Sequence, residues 1–217
     1  MQGYANHVIC NNYLFISKHV KQLNHTTPEE AAPFLELANS LYPITESIAQ
    51  YLIKNSFPKS IKKGKILQKA GDICTNMYFV KKGVLRGFVK DENREITTWI
   101  TAEGELVSAI CSFILQIQTN ENIQAIEDCE LITLSKTDLE RLYIKHPSFN
   151  ITVRKLTEIY YMHAENRAYI VRLKSADQKH QLFLKQFGHL SNRVPVKYIA
   201  SFLGITLETL SRLRAKK

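Results

Sequence analysis

The chain predicts an α+β fold: a jelly roll of short β-strands, then one long helix, then an all-α C-terminal unit. Three observations predict it. Turn signals recur seven to twelve residues apart at Gly64, Gly71-Asp72, Lys82-Gly83, Asp91-Glu92-Asn93 and Glu103-Gly104. An apolar stripe alternating four and three apart runs through residues 148–173. Finally, residues 172–217 carry ten Lys/Arg against Asp177 and Glu208, so almost all of the formal net charge of +9 sits at the C-terminal end.

Residues 1–32 read as a leader of uncertain order, closing on the polar stretch Asn24-His25-Thr26-Thr27-Pro28, and no function is assigned to them. From Pro33 to Ile53 the positions Leu37, Leu41, Ile44, Ile48 and Leu52 recur at helical spacing, with Pro43 before a second start. Between the turns that follow lie the β-prone runs Met77–Val80, Val84–Val89 and Ile96–Ile100. Ile123–Glu127 and Leu131–Leu134 complete the roll after an apolar, partly helical insertion at Val107–Ile117. Regularly spaced short strands of this kind build a double-sheet jelly roll, here a sensor domain over residues 33–147.

Helical patterning resumes at Lys136-Thr137-Asp138-Leu139, and Pro147-Ser148 opens a long helix at residues 148–173. Its stripe holds Phe149, Val153, Leu156, Tyr160, His163, Arg167 and Ile170, the spacing of a coiled-coil seam. The stripe fits a helix packed on its own domain or one paired with a second copy, and the homodimer interface is the expectation. A further helix starts at Ser175-Ala176-Asp177 and ends near Gly188.

Over residues 174–217 the sequence Val196–Arg214 carries a helix-turn-helix pattern. Ile199, Leu203, Ile205, Leu210 and Leu213 let two short helices pack at a steep angle. Ala200 is small at the crossing, Gly204 suits a left-handed turn, and Thr206 suits the N-cap of the second helix. In such a motif the second helix enters the major groove, which nominates Thr206, Leu207, Glu208, Thr209, Ser211 and Arg212. Glu208 can accept from a cytosine amino group and Arg212 can donate to guanine or a phosphate. Lys197, Arg214, Lys216 and Lys217 are placed as phosphate contacts, the last two lying outside the residues that the structure describes. The basic segment by itself fits nucleic acid, an anionic membrane surface or plain solubility; the motif favours duplex DNA.

Other chemistries find little support. All seven histidines lie outside residues 26–145, so a metal-dependent enzyme within the roll is not expected, and no metal site or catalytic residue is assigned. Cys10, Cys74, Cys111 and Cys129 lack C-x-x-C spacing and read as free thiols in a reducing cytosol. The longest N-terminal apolar run is Tyr13-Leu14-Phe15-Ile16, so a cytoplasmic protein with no membrane partner is expected. Haem ligation by His163 is the alternative to its packing in the core or an interface, and packing is preferred.

The strand-and-glycine pattern of Gly71-Asp72, Tyr78, Val80 and Gly83, then Gly104-Glu105-Leu106, the long helix and Leu207-Glu208-Thr209-Leu210-Ser211-Arg212, resembles the Crp/Fnr family of bacterial regulators. The resemblance covers residues 33–217. The segment from Ser175-Ala176-Asp177 through Val194-Pro195 to Ile205 looks like the branch common in Bacteroidetes. It implies a cyclic-nucleotide-binding-like sensor, a homodimer paired along residues 148–173, and a DNA-binding head on a two-fold-related site. It implies RNA polymerase as a further partner if the protein activates transcription. The effector pocket would be Gly104, Glu105, Leu106, Glu121 and Asn122.

Three departures follow. Cyclic-AMP-binding members of the family carry an Arg-Ser/Thr-Ala element where alignment on Ala125-Ile126-Glu127-Asp128 gives Glu121-Asn122-Ile123. A carboxylate there repels a phosphate by about 1 kcal/mol, or several times that when partly desolvated, so cyclic AMP is not the expected effector and no cofactor is assigned. Leu207 stands where the family often has arginine, and it can touch a thymine methyl but cannot read guanine. Beyond the second helix there is no room for most of the β-hairpin wing, so a winged head lacking its wing is expected. The alternative function is a ligand- or protein-binding roll whose basic C-terminal domain does not read DNA sequence.

Overall fold

The computed structural model describes residues 25–215. The first helix, α1, spans Pro28–Leu41 and begins five residues earlier than Pro33. Thr27 caps it through a reciprocal box: its hydroxyl accepts from the Glu30 amide, and the Glu30 carboxylate accepts from the Thr27 amide. The expected leader boundary at residue 32 therefore falls inside a helix, and most of the leader lies outside the described residues. Thr45 caps α2 (Glu46–Asn55) by accepting from the Ile48 amide, without a reciprocal bond.

Eight strands follow: β1 Ser56–Ile61, β2 Ile66–Gln68, β3 Asn76–Lys82, β4 Leu85–Asp91, β5 Arg94–Thr101, β6 Leu106–Val107, β7 Glu121–Ala125 and β8 Cys129–Ser135. They form two four-stranded antiparallel sheets, ordered β1-β8-β3-β6 and β2-β7-β4-β5. Val80 and Leu131 of the first sheet meet Leu85, Ile123 and Ala125 of the second on their inner faces, while Phe79 and Ile132 turn to the other side, where the Phe34 ring of α1 lies 5.4 Å from that of Phe79. Gly83 has φ +102, and a Cβ there would come within 2.7 Å of the Asp128 carbonyl, so the turn between β3 and β4 is closed to other residues. The insertion expected over Val107–Ile117 contains the short helix α3 (Ile110–Leu115). β1 and β2 were hidden from sequence because Pro58 and the lysines around Gly64 interrupt any alternation.

Helix α4 (Lys136–Lys145) is capped by Ser135, and α5 runs for 24 residues from Phe149 to Arg172. Then come α6 (Ala176–Phe187), a 3-10 turn at Gly188–Leu190, α7 (Val196–Leu203) and α8 (Leu207–Ala215). The head formed by α6 to α8 is not a separate bead. Its core of Phe183, Ile199, Phe202, Leu203 and Leu210 is continuous with Val84, Ile100, Ala102 and Ile126 on the outer face of the second sheet. Among the described residues no helix is long and apolar enough to cross a membrane.

Candidate nucleic-acid interface

The geometry of the head begins with a backbone requirement. Gly204 adopts φ +61 and ends α7, while the Ile205 amide closes on the Ala200 carbonyl at 3.1 Å. Lys179 of α6, only 6% exposed, donates from Nζ to the Leu203 carbonyl at 2.9 Å and so satisfies an acceptor that the end of α7 leaves open. Thr206 then caps α8, accepting from the Thr209 amide at 3.1 Å. Leu210 is fully buried against α6 and α7, which fixes the rotation of α8 about its axis. That rotation exposes Leu207, Glu208, Ser211 and Arg212 together on one face.

The nominated contacts are thereby sorted. The Glu208 carboxyl is held below its ordinary value chiefly by backbone amide donation at the helix start, then by Thr206, with Arg212 adding to the effect. Arg212 reaches the Thr209 hydroxyl at 3.5 Å, and Arg214 donates to Asn192 Oδ1 at 3.4 Å, turning back toward the head. Thr206 and Thr209 serve the cap. Lys197 is exposed on α7, its ammonium 4.9 Å from the Tyr198 ring centroid.

Helix α7 lies on β5. Ser201 Oγ accepts from the Thr97 amide at 2.9 Å and donates to the Glu95 carbonyl at 3.0 Å. Arg86, 1% exposed, projects from β4 toward this helix. Its guanidinium lies between the Phe88 ring, 4.2 Å away, and the Tyr198 ring, 3.6 Å away. It donates to Gln124 Oε1 at 2.9 and 2.8 Å, to Thr97 Oγ1 at 3.3 Å and to the Glu95 carboxylate. A buried cation persists only with such complete pairing.

At the end of the roll, Arg193 donates to both oxygens of Glu103 (2.9 and 2.7 Å) and to both oxygens of Glu127 (3.1 and 2.7 Å). Glu103 also accepts from the Gly83 amide at 2.7 Å. Hydrogen bonds from Arg193, ahead of every other cause, hold the Glu103 carboxyl down at about 2, and the same contacts push the Arg193 guanidinium up. Arg86, Tyr198, Lys179 and Arg193 were not legible in sequence, because each takes its role from a partner far along the chain.

The interior of the roll faces the opposite way. Along β7, Glu121, Ile123 and Ala125 point inward while Asn122, Gln124 and Ile126 point outward. Glu121 accepts from Thr98 Oγ1 at 2.6 Å, and Thr98 is the extra residue of a bulge between the pairs Gly87↔Trp99 and Phe88↔Thr97. Glu105 accepts from the Thr101 hydroxyl. Arg167 of α5 sits half-buried, its guanidinium pushed down by burial and supported by Glu105 and Glu121. The Leu106 amide donates to the Tyr160 hydroxyl at 2.7 Å, and burial pushes the Tyr160 phenol up to about 12. Gly104, at φ +83, makes the turn before Glu105. Asn122 does not join these groups; its Oδ1 accepts from the Ala70 amide at 3.0 Å. The Trp99 ring covers Gly87 so closely that a Cβ would lie 2.2 Å from Trp99 Cε2.

On α5, most of the stripe expected to pair with a second copy is engaged within the protomer. Phe149 is 4% exposed and belongs to the roll's own core, with Val153 packed against it. Leu156 lines a small internal cavity under α1, Tyr160 bonds to Leu106, and Arg167 is half-buried in the field of Glu105 and Glu121. These side chains are used within the protomer, because the roll presents an apolar and acidic surface that α5 must cover. Only His163 of the nominated set is exposed, its ring edge-on to Tyr160. The exposed apolar side chains of α5 are Tyr161, Met162, Tyr169 and Val171, the first two in a shallow groove with Arg154, Thr157 and Glu158.

Residues 58–146 match the cyclic nucleotide-binding domain family. The chain is 25% identical over 167 residues to the fumarate and nitrate reduction regulatory protein of Yersinia pestis, covering 71% of this chain and 66% of that protein. It is 26% identical over 170 residues to the anaerobic regulatory protein of Haemophilus influenzae, covering 71% and 64%. The chain thus spans just under two thirds of the length of these curated relatives. Among solved structures it is similar to FixK2 from Bradyrhizobium japonicum, with TM-score 0.66, 18% identity and coverage of 74% and 83%. It is also similar to a crp/fnr-family transcriptional regulator from Eubacterium rectale, with TM-score 0.62, 20% identity and coverage of 80% and 83%. At these identities the structures carry the fold.

Proposed function

We propose that the chain is a member of the Crp/Fnr family and a DNA-binding transcription regulator, not an enzyme, acting in the cytoplasm as a homodimer on a two-fold-related site; the match of residues 58–146 and the likeness to curated regulators support this. The observation that carries the reading is the face of α8. Leu207, Glu208, Ser211 and Arg212 are exposed side by side, with no roll or head element packed over them, on a helix whose rotation is fixed by buried Leu210. An α-helix presented this way fits the major groove, and its N-terminal half reaches base edges. Lys197 supplies a phosphate contact beside it. The face of α5 bearing Tyr161, Met162 and Tyr169 supports the dimer, since an exposed apolar row on a long helix is stabilised by a second copy. The branch common in Bacteroidetes rests on the closing segment alone, and RNA polymerase is a partner if the protein activates.

Cyclic AMP does not control this protein in our reading. The interior that a nucleotide would enter holds the carboxylates of Glu105 and Glu121, bonded to Thr101 and Thr98, with the Arg167 guanidinium in their field, and Trp99 covers Gly87. An entering phosphate would meet two carboxylates and compete with them for one guanidinium.

Fluorescence anisotropy on a labelled duplex from the protein's own upstream region, at fixed moderate salt, tests both statements. The expected result is tighter binding than to random duplex, unchanged by cyclic AMP. Binding that requires cyclic AMP would overturn the account of the interior. Failure to prefer any two-fold-related duplex, including ones selected from a random pool, would overturn the DNA reading.

A further inference from the structure

The head adheres to the roll through two kinds of contact that do different physical work. The apolar patch of Val84, Ile100, Ala102 and Ile126 under the head supplies attraction without direction, so it resists separation more than sliding. Arg193 supplies direction. Its planar guanidinium engages four carboxylate oxygens, two on Glu103 and two on Glu127, from two different turns of the roll. Glu103 is itself tied to the Gly83 amide of a third turn. Fork-to-fork pairing of this sort has one geometry. Because all three side chains are about one third exposed, the pairs contribute little adhesion, and what they fix is register.

We propose that Arg193 is a positioning residue which fixes the register of the head on the roll and so sets the half-site spacing that the dimer accepts; the spacing part rests on the DNA reading above. The roll is joined to α5 through the shared core at Phe149 and Val153, and α7 is joined to β5 through Ser201. Head, roll and α5 then form one rigid path, and the separation of two recognition helices follows from where Arg193 seats the head. Spacing between half-sites is read geometrically in helix-turn-helix dimers, at about 34–36 Å per helical turn. Sliding a head by a few ångströms shifts the accepted spacing by about one base pair.

Two variants break the clasp from opposite sides without touching α8: Arg193→Ala, and the double change Glu103→Gln with Glu127→Gln. Arg193→Lys keeps the charge but not the fork. The DNA probe is a pool of duplexes carrying two randomised inverted half-sites, with centre-to-centre spacings from about 9 to about 13 base pairs. Wild-type protein is expected to enrich one spacing by about tenfold or more over its neighbours. Both clasp variants should narrow that preference to about threefold while keeping the same half-site bases, with Arg193→Lys between. Hydrogen exchange on the free dimer provides the DNA-independent arm. The Thr97 amide, bonded to Ser201, is expected to exchange about tenfold faster in both clasp variants. Unchanged Thr97 exchange, or faster exchange with spacing preference intact, overturns the inference. Wild-type protein that enriches no duplex overturns the DNA reading and the spacing role with it, and the exchange arm distinguishes that case from a clasp that never held the head.

Discussion

The guanidinium carbon of Arg86 stands 3.6 Å from the centroid of the Tyr198 ring, so a buried charge of the roll is covered by the first helix of the head. Removing the ring exposes one side of that charge to solvent and deletes a desolvated cation–π contact of about 2 kcal/mol. Tyr198→Ala is therefore expected to lower unfolding free energy in urea by about that amount. Tyr198→Phe, which keeps the ring, should stay within about 0.5 kcal/mol of wild type. Equal losses in the two variants would show that the stack carries no energy.

Gly87 is dictated by Trp99. A Cβ at this position would lie 2.2 Å from Cε2 and 2.3 Å from Nε1 of the indole. Gly87→Ala should cost about 3 kcal/mol in denaturant unfolding, as overpacking does where a ring and a paired strand cannot both yield. Adding Trp99→Leu makes room, so the double variant should be less destabilised than the sum of the singles. Strict additivity would mean that the two side chains do not meet.

On α5 the two faces predict opposite outcomes. Met162→Glu places a charge on the exposed apolar row and is expected to give a monomer in sedimentation velocity at concentrations where the wild type is dimeric. Tyr160→Phe deletes the hydrogen bonds to Leu106 inside the protomer, which should cost about 1 kcal/mol and leave the dimer intact. The reverse pattern would return the interface to the Tyr160 stripe.

On the DNA reading proposed above, Arg212 is the base-reading side chain. Arg212→Ala should cut discrimination between selected and random duplex by about 1–3 kcal/mol while leaving the dimer unchanged. Lys197→Ala should weaken both duplexes alike and reduce the salt slope by about one. Unaltered discrimination in Arg212→Ala would remove its base-reading role.

Periodicity in the sequence reveals which face of an element is buried, but not what buries it. The stripe through Phe149, Val153, Leu156 and Tyr160 was visible at full strength, and it packs on the chain's own roll. Local chemistry carried further. Gly204 and Thr206 announced the turn and cap of the head because their roles are fulfilled within a few residues. Asn122 was misplaced for a one-residue reason, since strand alternation turns it away from Glu121. The contacts that seat the head, Arg86 on Tyr198 and Arg193 on Glu103 and Glu127, join residues 66 to 112 positions apart and leave no local pattern to find.

The two faces of the second sheet, with the bulge at Thr98 setting the phase of β5, are also separable under mutation. Thr98, Thr101 and Glu121 can be exchanged while Arg86, Thr97 and Gln124, on the opposite face, keep the seat of the head unchanged. On the regulator reading proposed above, a lineage built on this sheet diversifies its effector site without relearning an operator, and a chimaera that transplants only inward-pointing positions should inherit the donor's effector response with the recipient's operator.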